Sequence, residues 1–204
     1  DPEGPNATRG RVGLLPGGAQ VIAIGLWSGP GTGTRLSLVP NLGTPREESR
    51  SGDYEHVRFK SERDLLDHFW ALLGAAVANG ERLVTFNGRG FDGPVLTLRS
   101  AVLGVAPTVD LIGDRRALRP HCDLAQVLSF FGASRSNYSL NYWCGVFGVA
   151  SPKTSMTGAD VGDAFERGDY DAISRYALAD ALAAGEIFRR LEPTVLPVLE
   201  APPA

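Results

Sequence analysis

Short apolar runs dominate the first half of the chain, and apolar residues recurring every three or four positions dominate the second. The segment QVIAIGLW at 20–27 is almost unbroken in apolar side chains and rich in β-branched ones, which predicts a buried strand. The Gly/Pro cluster at 28–33 predicts a turn, and the polar–apolar alternation at 35–39 predicts a hairpin partner. Residues 40–53 are polar and predict a loop, as do the Gly- and Pro-rich residues 1–19. A short strand is predicted at 56–59 and another buried strand at 82–86, the latter closed by a turn at 87–90.

Helical spacing is clearest from Ser61 onward. Ser61 and Asp64 form a capping-box pattern, and Leu65, Leu66, Phe69, Trp70, Leu73 and Val77 make one apolar face that stops at Asn79 and Gly80. A second helix is predicted from Phe91 to about Leu103, with Pro94 in its first turn. After irregular residues 104–121, Asp123 is a candidate N-cap for a helix carrying Leu124, Val127, Leu128 and Phe131. Further helices are predicted at 140–147, 159–167 and 171–191, and the Pro/Ala-rich residues 192–204 predict a frayed tail. Strands early, helices late and one alternation between them predict a three-layer α/β domain with a mixed central sheet over residues 1–191.

Composition narrows the class. The chain has 204 residues, 43% hydrophobic and 21% charged, the balance of a soluble globular domain. No apolar run is long enough to predict a membrane span. A net charge of −3 excludes a whole-chain basic surface, so a nucleic-acid partner would need a local patch or bridging cations. Cys122 and Cys144 lack zinc-type spacing and are too few for a disulfide framework, which predicts reduced thiols in a cytoplasmic protein. The chain opens on Asp1 with no signal-peptide pattern, which predicts a removed leader or a piece of a longer chain.

Candidate chemistry rests on carboxylates. His56, His68 and His121 form no zinc pair, and the glycine-rich residues 29–33 lack the P-loop ending. Asp92 comes after the strand at 82–86, the end of a strand where ligands bind in α/β sheets; a helix-capping role is the alternative. Tyr176 and Asp180 lie four residues apart, on one face of a helix beside its apolar stripe. An acid there needs a partner, a cation or solvent. Asp1 and Glu3 share a face of an extended chain.

In order, Asp1-x-Glu3, Asn87-x-x-x-Phe91-Asp92 and Tyr176-x-x-x-Asp180 resemble the three motifs of DEDDy-type 3′–5′ exonucleases. The segments VIAIGL at 21–26, FNGRGFDGPVL at 86–96 and DLAQVLSFFG at 123–132 resemble the stand-alone group related to the exonuclease domain of family B DNA polymerases. Ser139-Leu140, Pro152-Lys153 and Gly158 to Val161 fit the same pattern. The resemblance implies an RNase H-like fold and a metal-dependent 3′–5′ exonuclease acting on DNA, preferably single-stranded. It implies Asp1, Glu3, Asp92 and Asp180 as ligands of two Mg²⁺ or Mn²⁺ ions, hard cations suited to carboxylate oxygens. Tyr176 would orient the attacking water. Asn87 would help place the strand, and Phe91 would pack in the core or against a terminal base. Arg89 and Lys153 are candidate phosphate contacts. An RNA 3′-end trimming enzyme and a catalytically silent nucleic-acid-binding module are the alternative readings. The family carries an apolar central strand just before its first acidic pair, so residues upstream of Asp1, or another segment, are expected to supply it.

Overall fold

The computed structural model describes residues 19–134, 138–152 and 156–201. Its strands are β1 (Ala23–Gly29), β2 (Thr32–Leu38), β3 (Arg46–Ser51), β4 (Tyr54–Phe59), β5 (Leu83–Thr85) and β6 (His121–Asp123). Its α-helices are α1 (Glu62–Ala78), α2 (Asp92–Leu103), α3 (Leu124–Leu128), α4 (Leu140–Phe147), α5 (Val161–Glu166), α6 (Tyr170–Leu191) and α7 (Leu196–Glu200). A four-stranded mixed sheet has the order β1-β2-β4-β3, in which only β2 and β4 run parallel; β5 and β6 form a separate parallel pair.

The period of two along β2 places a layer on each side of the sheet. Leu36 and Leu38 join Val57 and Phe59 of β4 in a core closed by Leu65, Leu66, Phe69 and Trp70 of α1. The apolar face expected of that helix is therefore the buried one, and Ser61 caps it by accepting from the Asp64 amide at 3.1 Å. Arg35 and Ser37 alternate with those leucines and meet α6 and its surroundings instead. Arg35 Nη1 donates to Asp171 Oδ1 at 2.7 Å, and Ser37 Oγ pairs with His56 Nε2 at 2.7 Å.

Close approach of α6 to the sheet depends on missing side chains. A Cβ at Gly25 would fall inside the van der Waals radius of the Ala177 carbonyl, and one at Gly185 would overlap the Trp27 ring. Gly25→Ala must push α6 off β1, a clash against backbone that no rotamer relieves. The expected result is a loss of about 3 kcal/mol in urea unfolding, at the upper end for overpacking, with the far-UV helix signal retained. A loss below about 0.5 kcal/mol would contradict this packing.

Two histidines are buried as neutral rings. His56 is held down to about 4 by burial and then by Arg58 and Arg35, against the opposing charge of Asp171. His121, whose Nε2 pairs with Thr85 Oγ1 at 2.8 Å, is held down to about 4 by burial and then by Arg89. The unfolded chain binds protons at both sites near pH 6.5 and the folded chain does not, so stability is present above pH 6.5 and is lost as pH falls toward 4. Each histidine contributes on the order of 3 kcal/mol to that slope. Asp92, raised to about 6, takes up a proton in the folded state and offsets at most one histidine. His56→Asn is therefore expected to flatten most of the decline in Tm between pH 6.5 and 4.5. An unchanged slope would mean that His56 is not the group taking up the proton.

The structure differs from the sequence-based expectation in four places. Residues 46–51, expected as loop, form β3 although all six are exposed and carry no apolar alternation. Backbone pairing to β4 makes that strand, and its mixed charges blunt the sheet edge. Residues 121–123 form β6, too short for any period to be visible. The helix from Asp123 stops at Leu128, and Phe131 reaches the core from the next turn instead. Within the tail, residues 196–200 form α7 rather than fraying: Leu196 is buried and Glu200 pairs with Arg82 at 2.7 Å. Cys122 and Cys144 are both buried free thiols. No described helix is long and apolar enough to cross a membrane.

Candidate active site

Parallel pairing of β5 with β6 matches Thr85 with Asp123, so both strands deliver their carboxyl ends to one place. β5 leads directly into a tight turn. Asn87 adopts a left-handed φ of 61°, and its carbonyl accepts from the amides of Gly90 (3.1 Å) and Phe91 (3.0 Å). Gly88 is required there, because a Cβ would overlap Thr85. The Gly88 carbonyl accepts from Gly93 at 2.7 Å and starts α2, with Asp92 as its first residue.

Asp123 holds this turn from across the strand pair. It is 1% exposed. Its Oδ1 accepts from the amides of Asn87 (2.8 Å) and Ala125 (3.0 Å), and its Oδ2 accepts from the Arg89 amide (3.0 Å). One carboxylate thus caps α3 and locks the turn that presents Asp92. The sequence marks Asp123 as a helix cap and as the start of a family-like segment, without assigning it this role. No apolar run precedes it in the sequence, and β6 is too short to reveal the strand that carries it.

Arg89, expected to meet phosphate, is committed elsewhere. Its Nε donates to the Ile112 carbonyl (2.8 Å), and its Nη2 donates to the carbonyls of Ala117 (3.1 Å) and His121 (2.9 Å). Nη1 is buried without a hydrogen-bond partner among the described residues. The guanidinium braces the 112–121 segment instead of presenting its donors to a substrate.

Helix α6 brings the second acid. It packs across β1 and β2 and reaches β5. Tyr176 and Asp180 project from one face, as their spacing requires, and the Tyr176 hydroxyl donates to the Asp180 carboxylate. Burial, the Asp180 charge and that bond together push the Tyr176 hydroxyl above its ordinary range. Asp92 is raised to about 6 by burial and by the nearby Asp123 and Asp180 carboxylates, against a backbone hydrogen bond that lowers it. Asp92 stays solvent-accessible, which weakens the burial contribution, but the like charges act in the same direction.

Asp92 and the Tyr176–Asp180 pair, distant in sequence, therefore lie within electrostatic reach of one another, and Asn87 and Phe91 lie on the turn that leads into Asp92. Phe91 is 41% exposed beside Asp92, so the core alternative for its ring is not the one realised. Asp1, Glu3 and Lys153 lie outside the described residues. Among the described residues, no group of three or more His, Cys, Asp or Glu side chains is placed to hold a metal ion. The donors that do converge fit a hard divalent cation: they are carboxylate oxygens, and their mutual repulsion at Asp92 is what bound positive charge would relieve.

A family model described as a predicted 3′–5′ exonuclease related to the exonuclease domain of PolB matches residues 47–194, well over half of the chain. The match includes Asp92, Asp123, Tyr176 and Asp180. No curated protein matches the chain significantly.

Proposed function

The chain belongs to the family of predicted 3′–5′ exonucleases related to the exonuclease domain of PolB, and from that membership we propose that it hydrolyses phosphodiester bonds at the 3′ end of DNA, single strands by preference. The observation that carries this reading is that Asp92, at the start of α2, and Asp180, on α6 beside Tyr176, lie close enough for their charges to act on one another. The mixed sheet flanked by helices is consistent with the RNase H-like fold of such enzymes.

Asp92 and Asp180, with Asp1 and Glu3, would hold two Mg²⁺ or Mn²⁺ ions. Bound ions would supply charge stabilisation for the attacking and leaving oxygens of the phosphodiester. The chain's own groups do the rest. The Tyr176 hydroxyl, aligned by Asp180, orients the attacking water. The exposed Phe91 ring offers a stacking face to the terminal base, and Asn87 places the strand beside it. Lys153 supplies a phosphate contact. The scissile P–O bond breaks as water adds to phosphorus, releasing a nucleoside 5′-monophosphate and leaving a new 3′-hydroxyl.

The test is a matched set of DNA and RNA oligonucleotides labelled at the 5′ end, incubated with Mg²⁺ or Mn²⁺. A descending ladder from the 3′ end of single-stranded DNA, with mononucleotide product, is expected. A ladder on RNA alone would make the chain an RNA 3′-end trimming enzyme. No cleavage in either metal, with oligonucleotide binding intact, would leave a silent binding module.

A further inference from the structure

Most of the exposed aromatic side chains of the described residues lie on the site's own turn or on elements tied to it. Phe91, Phe130, Tyr138 and Tyr142 are exposed, and Tyr54 is the one such ring elsewhere. Solvent-facing aromatic rings offer flat faces on which the bases of a single strand can stack. Phe130 is also held in place by an unusual backbone. Phe130, Phe131 and Gly132 have consecutive left-handed φ values of 50°, 56° and 93°. Such conformations are rare for aromatic residues and persist where surrounding structure enforces them. Their outcome is that Phe131 packs against the second core while Phe130, 56% exposed, faces solvent.

Two connections tie this turn to the active site. Arg115 bonds Gln126 of α3, and its Nη2 would be 3.3 Å from a Cβ at Gly132, so its guanidinium lies against the turn. The same 111–119 segment is braced by Arg89 and abuts the start of α2, where the Leu111 carbonyl would be 3.1 Å from a Cβ at Gly93. On the other side, Tyr138 and Tyr142 are stacked with ring centroids 4.1 Å apart at 17°. Ser139 caps α4 between them by accepting from the Tyr142 amide, and α4 packs on α6, the helix that carries Asp180.

We propose that Phe130, with Arg115 beside it, and the stacked Tyr138–Tyr142 pair form a track on which successive bases of a single-stranded nucleic acid stack on the way to the active site. The proposal rests on the exonuclease reading and names how that substrate is held. Single-strand binders combine cationic side chains along the backbone with aromatic faces for the bases. Arg115 supplies the charge and the three rings supply the faces. A duplex keeps its bases stacked internally and gains nothing from such rings, so the track selects single strands.

The experiment uses the full chain and a fluorescein-labelled oligo(dT) of about ten nucleotides, within the site size of single-strand binders. Anisotropy is measured with Ca²⁺ in place of the catalytic metal. Phe130→Ala and Tyr142→Ala are each expected to raise Kd about tenfold, and Phe130→Trp to restore wild-type binding. Arg115→Ala is expected to reduce the slope of log K against log salt by about 0.7, one phosphate on a single strand. Hydrolysis of the small ester thymidine 5′-(p-nitrophenyl phosphate), too short to reach the track, is expected to be unchanged in all of these variants. Unaltered oligo(dT) binding in both alanine variants would overturn the track while leaving the exonuclease reading intact. So would equal losses on a duplex of the same length. Ring-dependent binding with no nucleotide release by the wild type would instead keep the track and remove the exonuclease reading.

Discussion

Asp92→Asn and Asp180→Asn are each expected to lower nucleotide release from a 3′ end by at least about a thousandfold, the several kcal/mol of charge stabilisation that a lost metal ligand forfeits. The two acids come from different elements, and the charge of Asp180 acts on Asp92, so on the proposed reading neither substitutes for the other. Folding separates this loss from simple damage. Asp92 is raised to about 6 by burial and by the Asp123 and Asp180 carboxylates, so the neutral amide removes a repulsion. Tm of Asp92→Asn at pH 7 should therefore equal or exceed that of the wild type while activity collapses. Retained activity at a normal Tm would remove Asp92 from the metal set. Tyr176→Phe keeps the ring and loses only the hydroxyl that donates to Asp180, so a smaller loss of about ten- to a hundredfold is expected.

Asp123→Ala is expected to damage both fold and function. It strands three backbone N–H groups, those of Asn87, Arg89 and Ala125, in a site that is 1% exposed at Asp123 itself. Unpaired buried donors cost about 1–3 kcal/mol each, so a loss of about 3 kcal/mol or more is expected in urea unfolding. The freed turn no longer fixes Asp92, and kcat should fall about ten- to a hundredfold, as for partners that orient metal ligands. Asp123→Asn keeps the oxygen that serves Asn87 and Ala125 while turning an N–H toward Arg89. It should recover part of the stability and of kcat, with KM for a small ester unchanged. A variant that is destabilised but retains full kcat would show that the turn keeps its shape without Asp123.

These expectations rest on features with different visibility in the sequence. The helix at Ser61 is legible because cap and apolar stripe are both local and repeat over many turns. Asp92, Tyr176 and Asp180 stand out as candidates in the sequence because each sits at a recognisable place, a strand end or a helix face, and because their order resembles a family pattern. Arg89 misleads for a local reason: an arginine beside an acidic motif reads the same whether its guanidinium meets phosphate or three carbonyls 23 to 32 residues away. β3 escapes a reading by pattern because its residues are all exposed and mostly charged, so only its partner strand defines it.

The sequence alone thus determined the α/β class, the main helices and the chemical character of the site, because periodicity, capping and residue type are properties of short segments. Only the tertiary structure decided which carboxylates act on Asp92, that Asp123 holds the Asn87–Phe91 turn from the neighbouring strand, and that Phe130 faces solvent while Phe131 packs against the core. Those outcomes depend on hydrogen bonds and packing between segments remote in the chain, and no local pattern records which partners a carboxylate or a ring finds when the layers close.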